Sequence, residues 1–120
     1  MLRAFWTLAF LIVATAVHAE VLALSSTYDV AGTAGDGSKY TGTAQVKVIS
    51  EKSFTIKWLI DGETYEGFGM RNDTALAATY TMDGKPGLII YKVDGSGVLS
   101  GAWVVKGSNE NGTEVMTPHK

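Results

Sequence analysis

From about residue 20 onward, apolar and polar residues of this chain alternate one for one. Ala44, Val46 and Val48 are separated by Gln45 and Lys47, and Phe54, Ile56 and Trp58 by Thr55 and Lys57. Ile89, Tyr91 and Val93 follow the same rhythm, as do Leu99, Gly101, Trp103 and Val105. A period of two belongs to a strand with one buried face, and no stretch of this region shows the i, i+3, i+4, i+7 spacing of a helix. Turn signals punctuate the pattern at Asp36-Gly37, Asp61-Gly62, Asp83-Gly84, Asp94-Gly95 and Asn111-Gly112, with Asn72-Asp73 and Ser50-Glu51-Lys52-Ser53 between them. Asx-Gly pairs accept the positive φ that tight hairpins demand. The pattern predicts eight strands, over 22–32, 40–49, 54–60, 64–71, 74–81, 87–93, 98–105 and 113–117.

Splitting each strand by parity gives one apolar face and one largely polar face. Tyr28, Val30, Tyr40, Phe54, Trp58, Tyr65, Leu76, Tyr80, Tyr91 and Trp103 fall on the first, and Thr41, Thr43, Gln45, Lys47, Thr55, Lys57, Glu66 and Lys92 on the second. Seven such strands need a common inside. A meander can stack as a β-sandwich or close into an antiparallel up-and-down barrel, and closure removes the edges that invite aggregation. The expected fold is therefore all-β, an eight-stranded barrel, with the sandwich as the alternative.

The first 19 residues read differently. Arg3 precedes the apolar stretch Ala4 to Val17, and Val17-His18-Ala19 places small residues at a cleavage position. That is the layout of a secretory signal peptide, too short for a bilayer span of about 20 residues. Cleavage is expected after Ala19, giving a single domain over 20–120 in the periplasm or outside the cell. Without a cysteine, that site takes no lipid. The mature part holds nine basic and twelve acidic residues, a net charge of −3 that disfavours nucleic acid and anionic membrane as partners. Having no cysteine, the exported domain is held by packing alone.

The segments Tyr28-Asp29-Val30, Asp36 to Thr43, Phe54-Thr55-Ile56-Lys57-Trp58, Tyr65-Glu66-Gly67-Phe68-Gly69, Leu99-Ser100-Gly101-Ala102-Trp103 and Gly112-Thr113-Glu114 together resemble a family of small exported bacterial proteins of unassigned function. Some of its members carry a fibronectin-binding label. The resemblance spans nearly the whole mature chain and implies a fold and a compartment, without an activity. More loosely, the meander is similar to the calycin barrels, lipocalins and avidins. It departs from lipocalins in lacking Gly-x-Trp in the first strand, and avidin's biotin-contacting residues find no match position by position.

Catalytic constellations are not evident. His18 leaves with the signal peptide and His119 is next to last, so neither a His-based triad nor a His metal cluster assembles. Asp36, Asp61, Asp83 and Asp94 are accounted for by their turns, and Glu63 and Glu66 read as solvated. The loop Gly107 to Gly112 lacks the leading acidic residue and the helices of an EF-hand. Asn72-Asp73-Thr74 and Asn111-Gly112-Thr113 match a glycosylation pattern that matters only in a eukaryotic host. Glu114 lies inside a short strand of ambiguous facing, and solvent is its expected side. An integral outer-membrane barrel conflicts with charges on the outward face at Lys47, Lys57, Glu66 and Lys92. No enzymatic activity, cofactor or metal is expected.

What remains is binding. All five tyrosines, the two mature tryptophans, and Gly42, Gly67, Gly69 and Gly101 face inward by parity. Either the glycines make room for neighbouring rings in a filled core, the reading that barrel size favours, or they hollow a cavity for a small apolar ligand. Trp58, Tyr65, Tyr80, Tyr91 and Trp103 are the ligand-binding candidates. On the outer side, Leu88, Ile90, Ala102 and Val104 are candidates for an interface, in a homo-oligomer or with an extracellular protein. A lipocalin-like carrier thus competes with a protein-binding or structural, adhesin-like module.

Overall fold

The computed structural model describes residues 23–120. The expected signal peptide and the first residue of the first predicted strand lie outside the described residues. Eight strands follow in chain order: β1 (Thr27–Thr33), β2 (Lys39–Val48), β3 (Ser53–Ile60), β4 (Glu63–Asn72), β5 (Ala75–Met82), β6 (Lys85–Val93), β7 (Leu99–Val105) and β8 (Gly112–Pro118). Each pairs antiparallel with the next, and β8 returns to β1 from Tyr28↔Pro118 to Thr33↔Thr113, closing an up-and-down, calycin-like barrel. Closure sets the sandwich aside.

The hairpins follow the residues that allow them. Asp61-Gly62 and Asp83-Gly84 take positive φ at both positions (51° and 78°, 51° and 75°), the two-residue turn whose twist suits the flanking strands. Asp36 and Asp94 close longer turns, each carboxylate accepting from the backbone N–H and the hydroxyl of the serine two residues on, Ser38 and Ser96, at 2.6–2.9 Å. Those bonds hold both carboxyls below their usual pKa.

Curvature comes from a repeated cross-strand device. Five inward rings each stand directly opposite a glycine: Tyr40 on Gly32, Phe54 on Gly69, Tyr80 on Gly87, Tyr91 on Gly101 and Trp103 on Gly112. A Cβ built at any of these glycines would collide with the ring opposite, so each ring lies across its partner's bare backbone. This pairing lets a sheet coil tightly without leaving a void under the bend. Glycine therefore makes room for rings, as one sequence reading expected.

The two ends of the barrel differ. At the end with the β2–β3, β4–β5 and β6–β7 connections, Tyr28, Phe54, Leu76, Leu99 and Met116 are fully buried, and Leu24 packs against this core. Ser25 N–H donates to the Tyr28 hydroxyl at 2.8 Å. Residues 23–26 thus cap this end, and β1 starts at Thr27 where the pattern predicted strand already from residue 22. Val48, inward by parity, is exposed because β2 ends there. Outside, Lys47, Lys57, Glu66 and Lys92 are exposed, and Lys57 pairs with Glu66 at 3.8 Å across β3 and β4. No described helix is long and apolar enough to cross a membrane.

Candidate functional site

The opposite end is hollow. A cavity of about 390 Å³ opens there, inside the mouth formed by the β1–β2, β3–β4 and β5–β6 turns. Its wall is mostly rings and apolar chains: Tyr40, Trp58, Ile60, Tyr65, Tyr80, Met82, Ile89 and Trp103, with Lys39 and Asp61 at the rim. Two edge-to-face aromatic pairs stiffen it, Tyr40–Trp103 (6.3 Å, 63°) and Trp58–Tyr80 (5.7 Å, 70°). The sequence posed filled against hollow; the barrel is filled at one end and hollow at the other.

Glu114 also lines the cavity, and at 4% exposure it is the one buried charged side chain among the described residues. The expectation that it faces solvent is corrected. Gly112, Glu114 and Met116 share the inward parity of β8, while Thr113, Val115 and Thr117 point out. Register explains how a carboxylate is received there. Tyr40, Gly32, Glu114, Gly101 and Tyr91 occupy one continuous row across β2, β1, β8, β7 and β6. With bare glycines on either side of Glu114, the two tyrosine rings lean over them and reach the carboxylate.

Tyr40 donates to Oε1 at 3.0 Å, Tyr91 donates to Oε2 in a very short bond, and Trp58 Nε1 donates to Oε2 at 3.3 Å. Trp58 Nε1 also lies 3.2 Å from the Tyr91 hydroxyl, and Trp103 Nε1 donates to Tyr40 at 2.9 Å. No buried side-chain polar atom among the described residues is left without a partner. Hydrogen bonds to a charged group contribute about 1.5–3 kcal/mol each, which offsets much of the several kcal/mol that burying a carboxylate costs. Burial still prevails: it raises the Glu114 pKa above the ordinary carboxyl value, against the lowering by Tyr91, Tyr40 and Trp58. Burial and the Glu114 charge together push Tyr91 well above 10 and Tyr80 up to about 12. At the mouth, the Tyr65 hydroxyl donates to Glu63 at 2.7 Å, which raises it to about 12.

Four of the five ligand-binding candidates, Trp58, Tyr65, Tyr80 and Trp103, line the cavity. Tyr91 lies below, 1% exposed, and supports the floor through Glu114. Sequence reasoning missed Tyr40 and Glu114 as site residues. Parity placed Tyr40 inward but did not mark it as a wall, and Glu114 was obscured by Val115, which makes the β8 pattern read either way.

Leu88, Ile90, Ala102 and Val104 are exposed on the outer face, as anticipated. They join neighbours on β4 that the sequence reading did not include. Phe68, Thr79, Leu88 and Val104 form one registered row, and Met70, Ala77, Ile90 and Ala102 the next. Phe68, Met70, Leu88 and Ile90 are each more than half exposed.

No protein-family model matches the chain and no curated protein matches it. Among solved structures it is similar to a redesigned β-barrel, with a TM-score of 0.68 and 15% identity over 81% of this chain and 92% of that one. It is also similar to a de novo designed fluorescence-activating β-barrel, with a TM-score of 0.62 and 16% identity over 80% and 94% of the two chains. Likeness at this identity speaks for the barrel fold alone.

Proposed function

We propose that the chain is an exported, non-enzymatic binding module that carries a small, largely apolar ligand in the open half of its barrel. The observation that supports this is the cavity itself, a ring-lined space of about 390 Å³ with a few polar groups gathered at its floor. Small-molecule sites share that composition, apolar walls that supply affinity and sparse polar handles that fix orientation. The floor groups are already engaged with one another, which suits recognition better than acid–base turnover.

Native mass spectrometry of protein purified from its own host tests the proposal, because it reports retained ligand and oligomeric state together. A bound small molecule is the expected result. Its extraction and return should change the fluorescence of Trp58 and Trp103 together, since both indoles border the cavity. Protein that retains nothing, and whose tryptophans respond to no apolar probe, refutes the carrier. Export is tested separately: material recovered from the periplasm or medium should begin at Glu20, and an intact Met1 there overturns that part.

A second reading, a surface-acting module, rests on the two apolar rows across β4 to β7. Contiguous exposed apolar surface of this kind marks protein interfaces.

A further inference from the structure

We infer that the ligand of this cavity carries an ammonium group, received by the Glu114 carboxylate within a cage of aromatic rings. The inference rests on the carrier reading above and names the chemistry its ligand must have. Glu114 is buried, yet every group that bonds it is neutral: two phenols and an indole. Among the described residues, the Lys57–Glu66 pair and the His119–Asp29 contact both lie at the surface, and no salt bridge reaches Glu114. Three donors occupy three of the roughly four acceptor positions a carboxylate offers, which leaves about one for a ligand.

The wall around it suits the same charge. Trp58, Trp103, Tyr40, Tyr65 and Tyr80 surround the space, and ring faces attract a desolvated cation. At the mouth, Asp61 lines the cavity, and Glu63 and Asp83 stand close enough to raise the Tyr65 pKa. Lys39 is the one cationic lining residue. An anionic ligand such as a fatty acid would meet like charge at the floor. A neutral one would leave the buried charge uncompensated. A small amine with an apolar body answers both the charge and the rings.

The groups that face Glu114 are Tyr40 on β2, Trp58 on β3, Tyr80 on β5 and Tyr91 on β6. Glu114 is the carboxyl among them and ionises before the tyrosines, which are all raised above their ordinary value. Occupancy by a cation should therefore strengthen as Glu114 ionises.

The test is calorimetric titration of the mature protein with 2-phenylethylamine and with its uncharged counterpart 2-phenylethanol, with Nile red as a neutral cavity probe. The amine should bind at least about tenfold tighter than the alcohol, as expected for a desolvated charge pair. Glu114→Gln should abolish that preference, with Nile red binding by the same variant reporting whether its cavity is formed. In the wild type, amine affinity should rise with pH across the Glu114 titration, where a lysine-like amine stays protonated, and alcohol affinity should stay flat. That profile keeps the test decisive even if the variant folds poorly. Equal affinities for the pair, or an amine affinity that neither pH nor the substitution changes, overturn the inference. Nile red binding without amine binding overturns it and spares the carrier, whereas binding of none of the three overturns both.

Discussion

Replacing Tyr91 by Phe removes one oxygen from the centre of the floor. That oxygen donates to Glu114 Oε2, faces Trp58 Nε1 at 3.2 Å and touches Met116 Sδ at 3.7 Å. The ring remains, still lying across Gly101, so packing is nearly preserved. What is lost is one charge-assisted bond and the bond accepted from Trp58 Nε1, which keeps Glu114 Oε2 as acceptor; the charge-assisted bond dominates, and the variant should lose about 1.5–3 kcal/mol where Glu114 is ionised. With the carboxyl protonated, the same bond is neutral and its loss should cost about 0.5–1.5 kcal/mol.

The pH dependence has a definite sign. Burial raises the folded-state pKa of Glu114 above its ordinary 4.5, so between the two values the folded state binds the extra proton. The stability Glu114 contributes is complete below about 4.5, the unfolded value, and is lost as pH rises through the folded value. Tyr91→Phe removes a group that lowers this pKa, so the gap between variant and wild type should widen as pH rises. Asp36 and Asp94 respond in the opposite sense, losing their contribution as pH falls, but they are common to both proteins and cancel in the difference. Urea unfolding at pH 4 and pH 8 measures the gap. For a domain of about 100 residues, each kcal/mol corresponds to about 4–8 °C in Tm. A gap that is the same at both pH values, or absent at pH 8, would falsify the account of Glu114 as a buried anion held by donors.

Gly69→Ala should destabilise the barrel by about 1–3 kcal/mol in the same assay, because the new Cβ meets the Ala77 carbonyl and the Phe54 ring; an unchanged midpoint would mean the ring-on-glycine packing is slack. Ile90→Asp addresses the outer patch. Its side chain is 63% exposed, so the fold should survive, and sedimentation velocity at high micromolar concentration should show any oligomer dispersed. A wild-type protein that is already monomeric there removes self-association as the patch's purpose.

Much of the fold could be read from the chain because its two strongest signals agree. The period of two and the Asx-Gly turns are local, and seven of the eight strands fall within two residues of their predicted bounds, while β1 starts five residues later than predicted. Closure was also legible, since seven strands with one apolar face have few other ways to hide it. Depth along the barrel axis was not. Parity says that Tyr28 and Tyr65 both point inward, but only register and stagger put Tyr28 in the packed end and Tyr65 at the mouth. Filled and hollow were therefore posed as alternatives for the whole interior, when each holds for one end. Glu114 escaped for a related reason. The side chains that bond it come from β2, β3 and β6, and nothing in the sequence around it records that two glycines flank it across the sheet.

Those glycines tie the site to the fold. Gly32 and Gly101 serve the barrel as bare backbone on which Tyr40 and Tyr91 can lie, the same device that Phe54, Tyr80 and Trp103 use elsewhere. At Glu114 two of these pairs converge from opposite sides, and what is a packing solution at the other three becomes a pair of hydroxyls aimed at one carboxylate. The floor also marks the boundary between the two ends: Tyr91 and Met116 belong to the packed half, while Tyr40, Trp58 and Trp103 face the cavity. A barrel without disulfides must keep enough buried core to fold, and the packed half, capped by Leu24, supplies it. That leaves the other half free to stay open. A buried carboxylate is costly in the packed half and useful only where a ligand can reach it, and the register places it at the boundary between them.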